Sequence, residues 1–395
     1  MNTIGIICEY NPLHLGHVEH INKSKIILGG DSAVVCAMSG NFVQRGEPAV
    51  FNKHARAKAA ILSGADLVVE IPSPHVLSSA DKFAAAGVHI LSSIGICDYL
   101  SFGSESGDIK PLQKVADAMV SAQADNYIKE WLGKGLSYAS AMQKAADSVL
   151  GASSEALRFP NNLLGIEYIK AIAAQGSGLK PMTVKRSGGE HDGEKGFSAS
   201  AIRKRILYDE KPWEYVPFNA AKVYKGEIAE GRGPVSMVSL EQAMMSRLRF
   251  ISEFSMIPGA SEGLEHRFSR YVSTKPTIAE IIESVKTKRY ALARIRRMIM
   301  CACLGFTEAD THELPQYIRV LAMNRTGMKL LKTAGEKSML PIITKPAIAH
   351  KLGENVIKMF KKESDATDLY VLAYQDEKSR SGGQEWRNTP IILER

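Results

Sequence analysis

The chain has 395 residues, 45% of them apolar and 23% charged, a balance that excludes wholesale disorder and fits a folded protein of two domains. No apolar run approaches the roughly 18 residues that span a bilayer, and the opening MNTIGIICEYN, with Glu9 and no basic stretch, does not read as a signal peptide. The formal charge of +8 is uneven: residues 1–210 hold 21 Lys and Arg against 21 Asp and Glu, while residues 211–395 hold 29 against 21. A neutral unit, 1–210, and a basic unit, 211–395, are therefore expected, the second facing a polyanion. Cys8, Cys36, Cys97, Cys301 and Cys303 are odd in number and sit in apolar stretches. That pattern suits reduced core thiols in a cytoplasm.

Taken in chain order, Thr3–Cys8 is a short β-branched apolar run and reads as a buried strand ending in Glu-Tyr-Asn-Pro. Gly16–Leu28 reads as a helix, Ala33–Met38 as a second strand, Lys53–Leu62 as a helix, and Leu67–Ile71 as a third strand stopped by Pro72 and Pro74. Ser79–Leu91 follows as a helix, Asp98–Phe102 as a fourth strand and Met182–Lys185 as a fifth. Alternating strands and helices predict a doubly wound α/β sheet, whose ligands bind beyond the carboxyl ends of the strands. Beyond Pro212, Leu240–Phe254, Thr277–Lys286, Tyr290–Leu304 and Pro315–Met323 show helical periodicity, and Val371–Arg395 reads as strand and loop.

The segment joining the first strand to the first helix carries the chemistry: Asn11-Pro12-Leu13-His14-Leu15-Gly16-His17. Gly16 lets backbone approach a phosphate closely. The helix N-terminus offers free N–H groups and the positive end of its dipole. His14 and His17 can donate to phosphate oxygens and stabilise charge at a five-coordinate phosphorus, with no side-chain nucleophile required. Zinc on His14, His17 and His20 is disfavoured, because no carboxylate or thiolate completes a site; no residue is assigned to a metal.

H-x-G-H after a first strand resembles the nucleotidyltransferase signature. Gly5–His17, Met38–Pro48, Ser101–Glu105, Pro160–Lys170, Phe197–Arg203, Gly263–His266 and Tyr317–Leu331 together closely resemble the bacterial tRNA(Met) cytidine acetate ligase family over nearly the whole chain. The resemblance implies a Rossmann-like H-x-G-H nucleotidyltransferase domain with a second, mostly helical, basic, tRNA-binding domain. It implies ATP as substrate, with Mg2+, and acetate as the group activated to acetyl-adenylate. The acetyl group then goes to N4 of the wobble cytidine of elongator tRNA-Met.

Carried over residue by residue, the resemblance makes His14 and His17 the catalytic phosphate contacts. It assigns Ile7, Cys8, Glu9, Tyr10, Asn11, Pro12, Leu13, His14, Leu15, Gly16, His17, Val18, Glu19 and His20 to ATP, together with Gly103, Asn161 and Arg186. Gly103 would admit adenosine or ribose, or is a plain turn glycine. Asn161 and Asn162 share a helix start, so one of them can be a cap. Arg186, before Gly188-Gly189, is preferred to Lys185 because its guanidinium can grip phosphate bidentately. Ser198, Ser200 and Arg203 in SASAIR resemble a second triphosphate-binding signature, although either serine can be a simple cap. Gln44, Arg45, Lys53 and Arg56 are further candidates near the acyl pocket or the RNA end, and His191-Asp192 is a candidate acid–base pair.

Basic residues of the second half cluster at Lys286-Lys288-Arg289, Arg294-Arg296-Arg297, Arg319, Arg325-Lys329-Lys332 and Lys358-Lys361-Lys362. Arg294, Arg296 and Arg297 are the named tRNA contacts, since such side chains bind phosphates without reading sequence. Tyr290, Tyr317, Tyr374 and Trp386 are available for stacking, with core packing the plainer reading of each. Two rival functions are an adenylyltransferase of cofactor biosynthesis, which needs no basic second half, and a non-catalytic RNA-binding protein, which needs no intact His14, Gly16 and His17.

Overall fold

The computed structural model describes residues 1–136, 138–151, 157, 160–186, 198–287 and 289–394. The Gly188-Gly189 loop, the His191-Asp192 pair, Phe197 and Lys288 lie outside the described residues.

Among the described residues ten strands form: β1 Asn2–Cys8, β2 Ser32–Ser39, β3 Phe42–Val43, β4 Glu47–Pro48, β5 Leu67–Ile71, β6 Tyr99–Ser104, β7 Lys180–Lys185, β8 Ile318–Asn324, β9 Ile342–Ile343 and β10 Ile391–Leu393. β3 and β4 make a small antiparallel ribbon, and the other eight build one sheet in the order β10-β8-β5-β2-β1-β6-β7, with β9 beside β8. β1 pairs in parallel with β2 on one side and with β6 on the other. The strand order therefore reverses at β1, and the crevice beyond the ends of β1 and β6 is the switch point at which such sheets bind ligands. β2 is buried along its whole length, as both-faced parallel strands are.

Two core clusters cover the sheet. One packs Ile7, Val35, Val69 and Leu100 against Phe83, Leu91, Ile166 and Ile169 of the helices Ala80–Ser93 and Pro160–Ala174. The other packs Ile4, Ile6, Cys36 and Met38 against Ala57, Ala60, Ile202, Ala221 and Tyr224 from the opposite side. Helices Glu241–Arg249, Leu264–Thr274, Ile278–Val285 and Leu292–Leu304 gather a third apolar cluster that includes Phe42 of β3.

The sheet draws on both halves of the sequence, so the expected 1–210 and 211–395 units share it. The stretch Pro315–Met323, read as helical, is instead β8, and it runs antiparallel to β5. Its apolar residues Ile318, Val320, Leu321 and Ala322 are all buried, and a short run buried on both faces carries no period that tells strand from helix. Arg319, counted among the basic phosphate contacts, is fully buried in β8 and pairs with Glu385 at 3.2 Å.

Candidate active site

β1 ends in a strained bend. Tyr10 adopts a left-handed φ of 46°, which a non-glycine residue holds only when its surroundings over-determine it. Here its ring is buried and meets His17 edge-on at 4.9 Å between centroids, and its hydroxyl lies 3.6 Å from the Cys36 thiol. The next residues are held from three sides. Asn11 Oδ1 accepts from the Val50 N–H at 2.8 Å, the Asn11 carbonyl accepts from Arg203 at 2.6 Å, and the Leu13 N–H donates to the Tyr224 hydroxyl at 3.1 Å.

Helix α1, Leu15–Ile27, opens directly on the bend with His14 as its cap. His14 Nδ1 accepts from the Gly16 N–H at 3.1 Å, and His17 Nδ1 accepts from the His14 N–H at 3.2 Å. The two signature histidines thus form a reciprocal capping box, with their rings stacked 3.7 Å apart. A ring nitrogen that accepts carries no proton, so the hydrogen-bond geometry assigns the proton of each neutral imidazole to Nε2. Neither Nε2 has a partner among the described residues. Burial, reinforced by Arg186 and Arg203, pushes the His14 pKa down to about 4, and burial and His14 hold His17 well below its ordinary value. At neutral pH the bend therefore presents two uncharged N–H donors beside a helix N-terminus. A Cβ on Gly16 would lie 3.0 Å from the His14 ring, which is why glycine fits there.

The other residues expected at the site divide into two groups on either side of this bend. On the β6 side, Arg186 donates to Asn161 Oδ1 at 3.2 Å, and Asn161 Nδ2 donates to Glu105 at 2.8 Å. A Cβ on Gly103 would press on the Arg186 side chain at 3.0 Å, so glycine here makes room for the arginine. Asn162 is the buried one of the pair, and its Oδ1 takes the Glu105 N–H at 3.4 Å. The Lys185 side chain is exposed, and its carbonyl accepts from Lys23 at 3.4 Å.

On the β2 side, Ser198 caps helix Ala199–Leu207 by accepting from the Ala201 N–H at 3.2 Å. The Ser200 hydroxyl accepts from Arg203 at 3.1 Å and from Arg45 at 3.0 Å. Glu9 accepts from the Gln44 N–H at 2.6 Å; burial raises its pKa, opposed by that bond and by Arg203, Arg45 and Arg56. His20 turns away from the bend, to Ser101 at 3.0 Å, and fastens α1 to β6.

A family profile described as HIGH Nucleotidyl Transferase matches residues 1–385. The tRNA(Met) cytidine acetate ligases of Acetivibrio thermocellus and Thermosipho africanus are 38% and 37% identical, each alignment covering 100% of both chains. The chain belongs to the tRNA(Met) cytidine acetate ligase family of HIGH nucleotidyl transferases. The crystal structure of Thermotoga maritima TmcAL bound with alpha-thio ATP matches with a TM-score of 0.93 at 31% identity, and the apo form with 0.94, each over 100% of both chains.

Within this family's fold, several site residues went unread in the sequence. Glu105 follows β6; it accepts the Asn161 amide, and its Oε2 is buried without a partner among the described residues. Tyr224 lies more than 200 residues from the bend it supports, and no local signal marks it. Asn11 Nδ2 is likewise buried and has no partner among the described residues, a spare donor in the bend itself.

Other candidates are engaged by protein partners. Lys53 is buried among Glu70 at 2.6 Å, Glu385 at 2.6 Å and Glu363 at 3.4 Å. Arg56 is buried and donates to the carbonyls of Glu9, Ser39, Gly40 and Phe51. Of the named tRNA contacts, Arg294 binds Glu262, Ser261 and the Gly259 carbonyl, Arg296 pairs with Glu47, and Arg297 donates to the Gln44 carbonyl at 3.1 Å. Arg296 and Arg297 seat helix Leu292–Leu304 on the β3–β4 ribbon, while Arg294 holds the turn at 259–262. Tyr290, Tyr317 and Tyr374 are buried, and Trp386 packs on His350 and Phe360.

Proposed function

We propose that this enzyme is an ATP-dependent ligase that joins acetate to AMP and passes the acetyl group to N4 of the wobble cytidine of elongator tRNA-Met. One observation carries the reading: two neutral imidazoles, their Nε2–H donors without partners among the described residues, stand at a helix N-terminus in the switch-point crevice. Full-length similarity to named ligases supports the choice of acyl group and RNA.

In the first step an acetate oxygen attacks the α-phosphorus, the new P–O bond forms and pyrophosphate leaves. His14 and His17 donate to the oxygens on which charge grows, and as uncharged donors they need no proton uptake. Arg203 and Arg186, on opposite sides of the bend, are the cations placed to hold the remaining phosphate charge. In the second step the cytidine N4 attacks the acetyl carbon, AMP leaves with the electron pair of the broken C–O bond, and the amine loses a proton. Among the described residues no group of three or more His, Cys, Asp or Glu stands ready to hold a metal ion. A Mg2+ would be carried by the triphosphate and shield its charge.

Among the described residues no helix is long and apolar enough to cross a membrane. With five free thiols, the reading places the enzyme in the cytoplasm with its tRNA. Incubating the protein with ATP, labelled acetate and tRNA, then analysing the nucleosides, tests the proposal. Label in N4-acetylcytidine is the expected result, and label in no nucleoside contradicts it.

A further inference from the structure

The motif Gly263–His266 and the aromatic Tyr290 take no part in the bend. Gly263, His266 and Tyr290 line a cleft of about 570 Å³ together with Arg267, Arg270, Tyr271 and Arg289, within the roughly 300–1,000 Å³ of sites that hold small organic groups. The guanidinium carbons of Arg267 and Arg270 lie 5.4 and 5.9 Å from the Tyr271 ring centre, and that of Arg289 lies 5.9 Å from Tyr290. Tyr290 is buried, and its hydroxyl donates to the Glu262 carbonyl at 2.8 Å, so it forms wall. Tyr271 is half-buried, and its hydroxyl has no hydrogen-bond partner among the described residues. Arg270 is exposed and meets no carboxylate among the described residues, whereas Arg289 shares Glu262 at 3.9 Å. The turn beneath is strained: Glu262 and Gly263 hold φ of 61° and 83°, and Arg294 clamps the Glu262 carboxylate at 2.9 Å.

Cations in excess of carboxylates, layered on aromatic rings, match the chemistry of unpaired nucleotides, which offer phosphate and a flat π-face together. One helix links the cleft to the catalytic crevice. Helix Leu292–Leu304 starts two residues after Tyr290, and Arg296, one turn in, pairs with Glu47 beside Arg203. Two extended residues and one helical turn put the Arg296 backbone within about 15 Å of Tyr290.

We propose that this cleft binds unpaired nucleotides flanking the acetylated base, with phosphates on Arg270 and Arg289 and a base stacked on the Tyr271–Arg270 pair. The inference rests on the tRNA-modifying reading above and adds a site for the RNA away from the reacting atoms.

The test uses the full chain and two RNAs, an anticodon stem-loop of elongator tRNA-Met and a fully paired hairpin of equal length, over a salt series. Arg270→Ala and Tyr271→Ala should each weaken stem-loop binding about tenfold, as loss of one stacked base does, and leave the paired hairpin unchanged. Arg270→Ala should lower the salt slope by about one, while Tyr271→Phe binds as wild type. Acetate-dependent exchange of pyrophosphate with ATP should persist in all three, which also reports that they fold. Wild-type stem-loop affinity in both alanine variants overturns the proposal. So does equal weakening of the paired hairpin, or displacement of the stem-loop by polyglutamate of matched charge. A wild-type protein that neither shows acetate-dependent exchange nor binds the stem-loop overturns the ligase reading itself.

Discussion

His14 does different work with its two ring nitrogens. Nδ1 closes the first turn of α1, and Nε2 is left for a ligand. The two roles separate by substitution. His14→Asp keeps a strong cap, since Asp ranks with Asn and Ser at this position, but puts a negative charge where phosphate must sit. The melting temperature should stay near wild type while acetyl-adenylate formation falls by at least about a hundredfold, the cost of losing one preorganised donor. Equal loss of fold and activity would show that the cap alone matters. Gly16→Ala should behave similarly: alanine suits a helix, yet its Cβ meets the His14 ring at 3.0 Å, so exchange activity drops while thermal stability holds. The lowered His14 pKa, about 4, also predicts that the adenylation rate does not titrate near 6.5. A rate flat from pH 8 to about 5.5 is expected, and a clear fall through 6.5 would mean that the histidines work as cations.

At the scale of elements, the five strands read before residue 186 were legible as short apolar runs closed by turn residues, whereas the helices Ile109–Met119, Ala122–Gly133 and Tyr138–Leu150 between the fourth and fifth were not read. Lys53–Leu62 and Leu67–Ile71 form with the predicted bounds. β8 was not legible, because burial on both faces erases the alternation that marks a strand and Arg319 looks like a surface charge until Glu385 is found opposite it. The bend was legible for a chemical reason: two histidines and a glycine at one helix start have few structural uses. Glu105 and Tyr224 were not, since only the folded chain brings them to it, whereas Arg45, a candidate from its place after β2, meets Ser200 beside it.

The same limit applies to Arg296 and Arg297. Sequence makes them a basic stripe; the fold makes them the joint between helix Leu292–Leu304 and the β3–β4 ribbon. Gly46 sits at that joint with φ 77°, and a Cβ there would fall 2.3 Å from the Arg297 nitrogen. Gly46→Ala should therefore destabilise the protein by about 2 kcal/mol or more in denaturant unfolding, and a neutral result would deny that the ribbon docks as described.

Across the whole molecule, the second half completes the sheet of the first, and a buried charge cluster ties the two. Lys53 on helix Lys53–Leu62 meets Glu70 of β5 together with Glu363 and Glu385 from the far end of the chain. Lys53→Met would leave buried carboxylates uncompensated and should cost about 3–5 kcal/mol of unfolding free energy. His14, His20, His54 and His75 all have pKa values pushed from 6.5 to about 4, chiefly by burial. The unfolded chain then binds more protons between those values, so stability is full above about 6.5 and is lost as the pH falls toward 4. Chemical denaturation at a series of pH values should show that decline.

The central claim is that the bend between β1 and α1 grips a triphosphate through two neutral imidazoles. A crystal structure of this protein with a non-hydrolysable ATP analogue tests it most directly. Phosphate oxygens within hydrogen-bond distance of His14 Nε2 and His17 Nε2 are the predicted result. A nucleotide bound elsewhere, with both nitrogens facing only water, would contradict the account.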